Sequence, residues 1–140
     1  MTFEAWDFKY KPNMDWNHAW GAAPGNIITN HLIGIEPIKA GFEEIRIKPQ
    51  ISDIKMAQLS YSSIRGNILV SIINDYNKQF SMEIEIPANM KAQICFPKYF
   101  INQKIEMNGK IIDHIEKENF LVVKGIGSGQ KKFNIHKSEN

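Results

Sequence analysis

Phe80-Ser81-Met82-Glu83-Ile84-Glu85-Ile86 alternates apolar and polar side chains without a break. Successive side chains of a β-strand point to opposite faces. The stretch therefore sends Phe80, Met82, Ile84 and Ile86 inward and leaves Ser81, Glu83 and Glu85 in water. Its texture continues on both sides. Downstream, Pro87-Ala88-Asn89 reads as a turn, and Ala92, Ile94 and Phe96 form the next inward row, with Cys95 opposite. Residues 104–107 lead into Asn108-Gly109, the strongest two-residue hairpin signal in the chain. Residues 111–115, 120–124 and 132–136 follow, with Gly125, Gly127 and Gly129 marking the last connection. Upstream, residues 57–64 and 67–74 flank Arg65-Gly66-Asn67, a second hairpin signal. Residues 44–49 alternate and stop at Pro49.

These segments predict a mainly β fold, an antiparallel β-sandwich of about eight strands. No helical pattern interrupts them, which disfavours parallel βαβ units. The texture changes near residues 38–41. The expected division is therefore residues 1–37 and a sandwich over 38–140.

The first segment is different. Phe3, Trp6, Phe8, Tyr10, Trp16 and Trp20 crowd an irregular arm that needs a surface to pack against. Residues 24–33 predict a short α-helix. Pro24 suits a first turn, where its missing N–H costs nothing. Ile27, Ile28, His31, Leu32 and Ile35 mark an apolar face, and Gly34 stands where a left-handed cap belongs.

Composition bounds the function. The chain has 140 residues, 43% hydrophobic and 23% charged, with net charge +2. That is one soluble globular domain's worth of sequence. No basic block points to nucleic acid or to an anionic membrane. No run of about 18 apolar residues predicts a membrane span, and no signal-peptide pattern opens the chain. The single Cys95 excludes an internal disulfide. His18, His31, His114 and His136 have no companion at ligand spacing, so neither a metal nor another cofactor is expected. Gly125-Ile126-Gly127-Ser128-Gly129 lacks the lysine and helix of a phosphate loop and reads as a turn.

Chemistry-bearing side chains gather in the arm. Asn17-His18-Ala19-Trp20-Gly21-Ala22-Ala23-Pro24 pairs an imidazole with an indole, which suits a ligand with apolar faces and hydroxyl edges. In Thr2-Phe3-Glu4-Ala5-Trp6-Asp7 a carboxylate stands between aromatics, a setting that can perturb its pKa. Spacing alone favours a solvated glutamate and a histidine with no site role.

Those two segments are followed by Leu32-Ile33-Gly34-Ile35-Glu36-Pro37 and by Gly41-Phe42-Glu43-Glu44-Ile45-Arg46-Ile47-Lys48-Pro49. In this order, with Ile86-Pro87, Asn108-Gly109 and Gly127-Ser128-Gly129 behind them, they resemble the C-terminal end of bacterial α-L-rhamnosidases. The likeness spans nearly the whole chain. It implies a large glycoside hydrolase whose (α/α)6 catalytic barrel precedes a C-terminal β-sandwich. Residues 1–37 would then be the end of that barrel. Glu4 matches the general base, His18 a substrate-contacting histidine, and Trp6 and Trp20 aromatics near the sugar pocket. The family carries a Trp before the Glu, where this chain has Phe3.

The resemblance further implies hydrolysis by inversion, with an acid and a base about 6.5–9.5 Å apart. The family's general acid lies far upstream in the barrel, outside these residues, so the piece alone should be inactive. The implied partner is a rhamnose-containing carbohydrate held by the intact parent. A periplasmic or extracellular parent is compatible with this. A fragment dimer through the arm is a further expectation. The alternative reading is a free-standing β-sandwich carbohydrate-binding module, which should show a row of exposed aromatics on one sheet face. The strand aromatics Phe80, Phe96 and Phe133 fall instead on core rows, although Tyr61, Tyr76 and Tyr99 leave that alternative standing.

Overall fold

The computed structural model describes residues 7–13, 19–75, 78–99 and 103–137, apart from the side chains of Trp20, His136 and Lys137. Nine strands form one hydrogen-bonded network: β1 (Ile35–Pro37), β2 (Glu44–Ile47), β3 (Met56–Ser63), β4 (Gly66–Asp75), β5 (Gln79–Pro97), β6 (Gln103–Met107), β7 (Lys110–Ile112), β8 (Ile115–Lys117) and β9 (Phe120–Lys137). The mainly β, sandwich-like fold is the one expected.

Two long strands organise it. β5 and β9 pair antiparallel along almost their full length, from Phe80↔Ile135 to Pro97↔Phe120. Both bend midway. Between Ile86↔Gly129 and Lys91↔Gly127, residues 87–90 face a single residue of β9. The turn expected at Pro87-Ala88-Asn89 and the connection expected at the three glycines are thus one corner, with both strands continuing through it. Asn89 (φ 60°) and Gly129 (φ 92°) supply the left-handed backbone this corner uses.

The corner splits the network into two leaves. One half of β5 pairs with β4 through Leu69↔Glu85 to Asp75↔Gln79, and β4 pairs with β3. The other half pairs with β2 through Glu44↔Lys91 to Ile47↔Ile94. That pairing is parallel, the one departure from an all-antiparallel arrangement, because β2 returns to the sheet through the β3–β4 hairpin. The first leaf is extended by β6 and β7 along β9, and the second by β1 and β8.

The core lies between the leaves. Phe80, Phe96 and Phe133 are fully buried. Phe80 meets Phe96 edge-on at 6.1 Å, and Phe96 lies 5.1 Å from Phe133, separations in the favourable range for aromatic pairs. Met82, Ile84, Ile86, Ala92 and Ile94 complete the inward rows of β5. Asn74 is a buried polar group whose bonds are met. Its amide donates to the carbonyls of Ser52 and Ile54, and its Oδ1 accepts from the Tyr99 hydroxyl at 2.9 Å. Three separate chain segments are tied there. At another loop cluster Arg65 donates to the carbonyls of Gly41 and Asn89, fixing the β3–β4 turn against the corner.

The lead-in helix begins as α1 (Ala23–Ile27), with Pro24 in its first turn, and widens into a π-helical turn over Ile28–Ile33. Gly34 closes it in the left-handed conformation (φ 74°, ψ 40°), its N–H donating to the Thr29 carbonyl. Its buried face matches the expected one only in part: Ile35 enters the core and Leu32 packs against it as expected, Ile33 joins them, and Ile27, Ile28 and His31 are exposed. A π turn advances each residue by less than the helical 100°, so the 3.6-residue pattern does not mark Ile33. Ile33 and Ile35 pack into the core of the sandwich, and β1 pairs with β2.

Candidate functional site

Glu4, Trp6 and His18 lie outside the described residues, as does the side chain of Trp20. Residues 7–13 and those from 19 onward are the described neighbours of these positions. Asp7 opens a turn in which its carboxylate accepts from the Lys9 N–H at 3.0 Å and its carbonyl from the Tyr10 N–H at 3.0 Å. Trp20 stands in the 3-10 turn Ala19–Ala22, which runs directly into α1. Phe8 and Tyr10 on the arm, and Ile27 and Ile28 on the helix, are exposed apolar side chains.

The helix is fixed to the sandwich through backbone. Lys48 N–H donates to the Gly34 carbonyl at 3.0 Å, and Gln50 N–H donates to the Leu32 carbonyl at 2.9 Å. A Cβ on Gly34 would sit 2.1 Å from the Lys48 carbonyl oxygen. The Leu32-Ile33-Gly34-Ile35-Glu36-Pro37 stretch therefore needs glycine twice over, for its φ and for the close approach of two chains.

No group of three or more His, Cys, Asp or Glu among the described residues could hold a metal ion. No described helix is long and apolar enough to cross a membrane. Lys98, hydrogen-bonded to Glu116, holds that carboxyl below the usual range. Lys39 is raised by its hydrogen bond to Glu43. Both lie at the surface.

One concave feature stands out. The outer face of β3, β4, β5 and β9, walled by Asn108 of the β6–β7 turn, forms a groove of about 790 Å³. Pairing register places Gln58, Ser71, Glu83 and Lys132 in one row across it, and Ser60, Leu69, Glu85 and Gln130 in the next. Gln58 donates to Ser71 Oγ at 3.2 Å, Gln130 donates to Glu85 Oε2 at 3.1 Å, and Lys132 lies 2.7 Å from Glu83 Oε1. Period-two alternation marked Glu83 and Glu85 as outward. The Arg65-Gly66-Asn67 hairpin signal pairs β3 with β4, but nothing in the sequence sets β5 and β9 beside them, so the full rows were invisible there. Among the described residues no aromatic side chain lines the groove. Tyr61 and Tyr99 are accounted for by packing, Tyr61 against Phe42 and Tyr99 against Phe80; Tyr76 lies outside the described residues.

A helix-led sandwich whose two leaves share a bent strand pair defines the class: a mainly β, sandwich-like domain. The bacterial alpha-L-rhamnosidase C-terminal domain matches residues 34–108. The chain belongs to that family. Among solved structures it is similar to the alpha-L-rhamnosidase from Dictyoglumus thermophilum, with 23% identity and a TM-score of 0.85 over 98% of this chain and 16% of that one. The Streptomyces avermitilis alpha-L-rhamnosidase complexed with L-rhamnose gives 19% identity and a TM-score of 0.77, covering 97% and 14%. The Aspergillus terreus alpha-L-rhamnosidase gives 20% and 0.71, covering 96% and 14%. At these identities the likeness shows a shared fold. The chain spans about one-sixth of the first of these proteins. No curated protein sequence matches it.

Proposed function

We propose that this chain is the C-terminal part of a glycoside hydrolase that removes terminal α-L-rhamnosyl residues by inversion. The observation that carries the reading is the family match, joined to a helix and arm that present Phe8, Tyr10, Ile27 and Ile28 outward. Residues 1–37 are the end of the catalytic barrel, with residues 33–37 knitted into the sandwich, and residues 38–140 brace it. Glu4 is the general base that activates water. His18 holds sugar hydroxyls, and Trp6 and Trp20 wall the pocket. The general acid comes from barrel sequence outside these residues.

The chemistry accounts for expected inactivity of the piece alone. Inversion needs one carboxyl to protonate the leaving oxygen and another to deprotonate water on the opposite face of the sugar. Each such group contributes about 10²–10⁴-fold. A base without its acid, and a pocket without most of its wall, does not turn over. The test is release of phenol from an aryl α-L-rhamnoside by equal molar amounts of the 140-residue chain and the intact parent. Turnover by the parent alone is expected. Turnover by the isolated chain that survives Glu4→Ala would overturn the assignment. A free-standing binding module is disfavoured because the described groove presents no aromatic row.

A further inference from the structure

The groove on the outer face of the first leaf has no part in the catalytic reading. Its volume is that of a small-molecule site. On the outward rows Glu83 is paired with Lys132 and Glu85 with Gln130, while Lys131, in register with Ile84, turns to the other face and donates to the Ser128 carbonyl. Phosphates and other anions need a net positive lining, which this face lacks, and a metal ion needs several converging ligands, which no described group of His, Cys, Asp or Glu provides. A protein partner needs an apolar or aromatic centre. Leu69, 40% exposed, is the large apolar side chain that this face turns outward within the groove.

The remaining lining is a grid of hydrogen-bonding groups. Neighbouring strands stand about 4.8 Å apart, and successive outward residues about 7 Å apart. Glu83 and Glu85 are each held through one oxygen, and the other has no protein partner among the described residues. Those oxygens are open acceptors at fixed positions. Gln58, Gln130 and Ser71 add amide and hydroxyl groups that both donate and accept. Acceptors and donors on such a grid, around one apolar spot, complement a molecule with C–H faces and many hydroxyls.

We propose that this groove binds a neutral sugar, seating a C–H face on Leu69 and its hydroxyls on Glu83, Glu85, Gln130 and Ser71. It is an open site that reads hydroxyls without stacking, so its affinity is millimolar. It would hold a further part of the carbohydrate on which the parent acts. The inference rests on the rhamnosidase reading for that role and for its choice of the rhamnoside probe, and not for the site itself.

The test is a titration of the 15N-labelled 140-residue chain, followed by amide shifts. The probes are methyl α-L-rhamnoside and xylohexaose, with inorganic phosphate as the anionic control. Saturable shifts are expected at Gln58, Leu69, Glu85 and Gln130 with at least one of the sugars, and none there with phosphate. Glu85→Ala and Gln130→Ala should each weaken binding about tenfold while leaving the rest of the spectrum intact, since both side chains are on the outer face. The proposal is overturned by no saturable shift with either sugar up to about 50 mM, well above the millimolar range. Shifts outside the groove, shifts that survive both substitutions, or equal shifts with phosphate also overturn it. Hydrolysis by the parent is read separately through Glu4, so failure here leaves that reading untouched, and the converse holds.

Discussion

Replacing Gly34 with alanine attacks the joint between the helix and the sandwich at one atom. Gly34 has φ 74°, and an added Cβ would lie 2.1 Å from the Lys48 carbonyl oxygen and 2.6 Å from its carbon. The left-handed conformation alone costs a residue with a Cβ about 1–2 kcal/mol. The overlap falls on backbone that is itself hydrogen-bonded to Gly34, so relief requires separating the two chains. Overpacking of this kind costs about 1–3 kcal/mol more. The sum, about 2–5 kcal/mol, is a large share of the 5–15 kcal/mol typical of a domain. For a chain of this size it lowers Tm by roughly 8–20 °C. Gly109 provides the control, because its φ is 81° and nothing lies within 4 Å of its added Cβ. Gly109→Ala should show the conformational cost alone. Urea unfolding followed by circular dichroism measures both, with the shift in midpoint expected at unchanged slope. Equal losses for the two variants would refute the close-approach argument.

Three further outcomes follow from the same geometry. Asn74→Ala should destabilise by about 2–4 kcal/mol, since it strips partners from the Ser52 and Ile54 carbonyls and from Tyr99; a loss under about 0.5 kcal/mol in chemical unfolding would contradict this. Glu116, held low by Lys98, stabilises above its unfolded pKa and loses that contribution as pH falls through its folded pKa. Glu116→Gln should therefore lower the urea midpoint slightly at neutral pH and converge with the unaltered chain in acid; a gap that widens on acidification would be contrary. A chain cut at Ala40 loses β1 and the burial of Ile33 and Ile35, roughly 1.5–3 kcal/mol each, whereas one starting at Ala23 keeps them. The shorter piece should melt earlier, and light scattering should show the full 140-residue chain self-associating through its aromatic arm more than either; a monomeric full chain at high concentration would count against that dimer.

The strands themselves were legible because each leaf keeps one wet face, which imposes alternation. The hairpins at Arg65-Gly66-Asn67 and Asn108-Gly109 were legible because two-residue turns demand special backbone. Reading stopped where the physics is not local. Pro87-Ala88-Asn89 and the glycines of β9 look like loop ends, yet opposed across a ladder they form a corner that neither makes alone. Short β1 carries no alternation of its own and exists because β2 offers it an edge. The face of the lead-in helix was legible at Leu32 and Ile35 but not at Ile33, because the π turn changes the angular step and no residue in Ile28–Ile33 announces that change. Of the candidate site, Glu4, His18, Trp6 and Trp20 were legible only through their resemblance to a family motif. Period and composition gave them no partner.

The most direct test of the account is steady-state hydrolysis of an aryl α-L-rhamnoside by the intact parent carrying Glu4→Gln, with His18→Ala beside it. If Glu4 is the base, kcat falls about 10²–10⁴-fold while KM changes little. His18→Ala should instead raise KM, as a pocket built around hydroxyls loses its hydrogen bonds. A Glu4→Gln enzyme that keeps kcat within a few-fold of the parent would contradict the central claim.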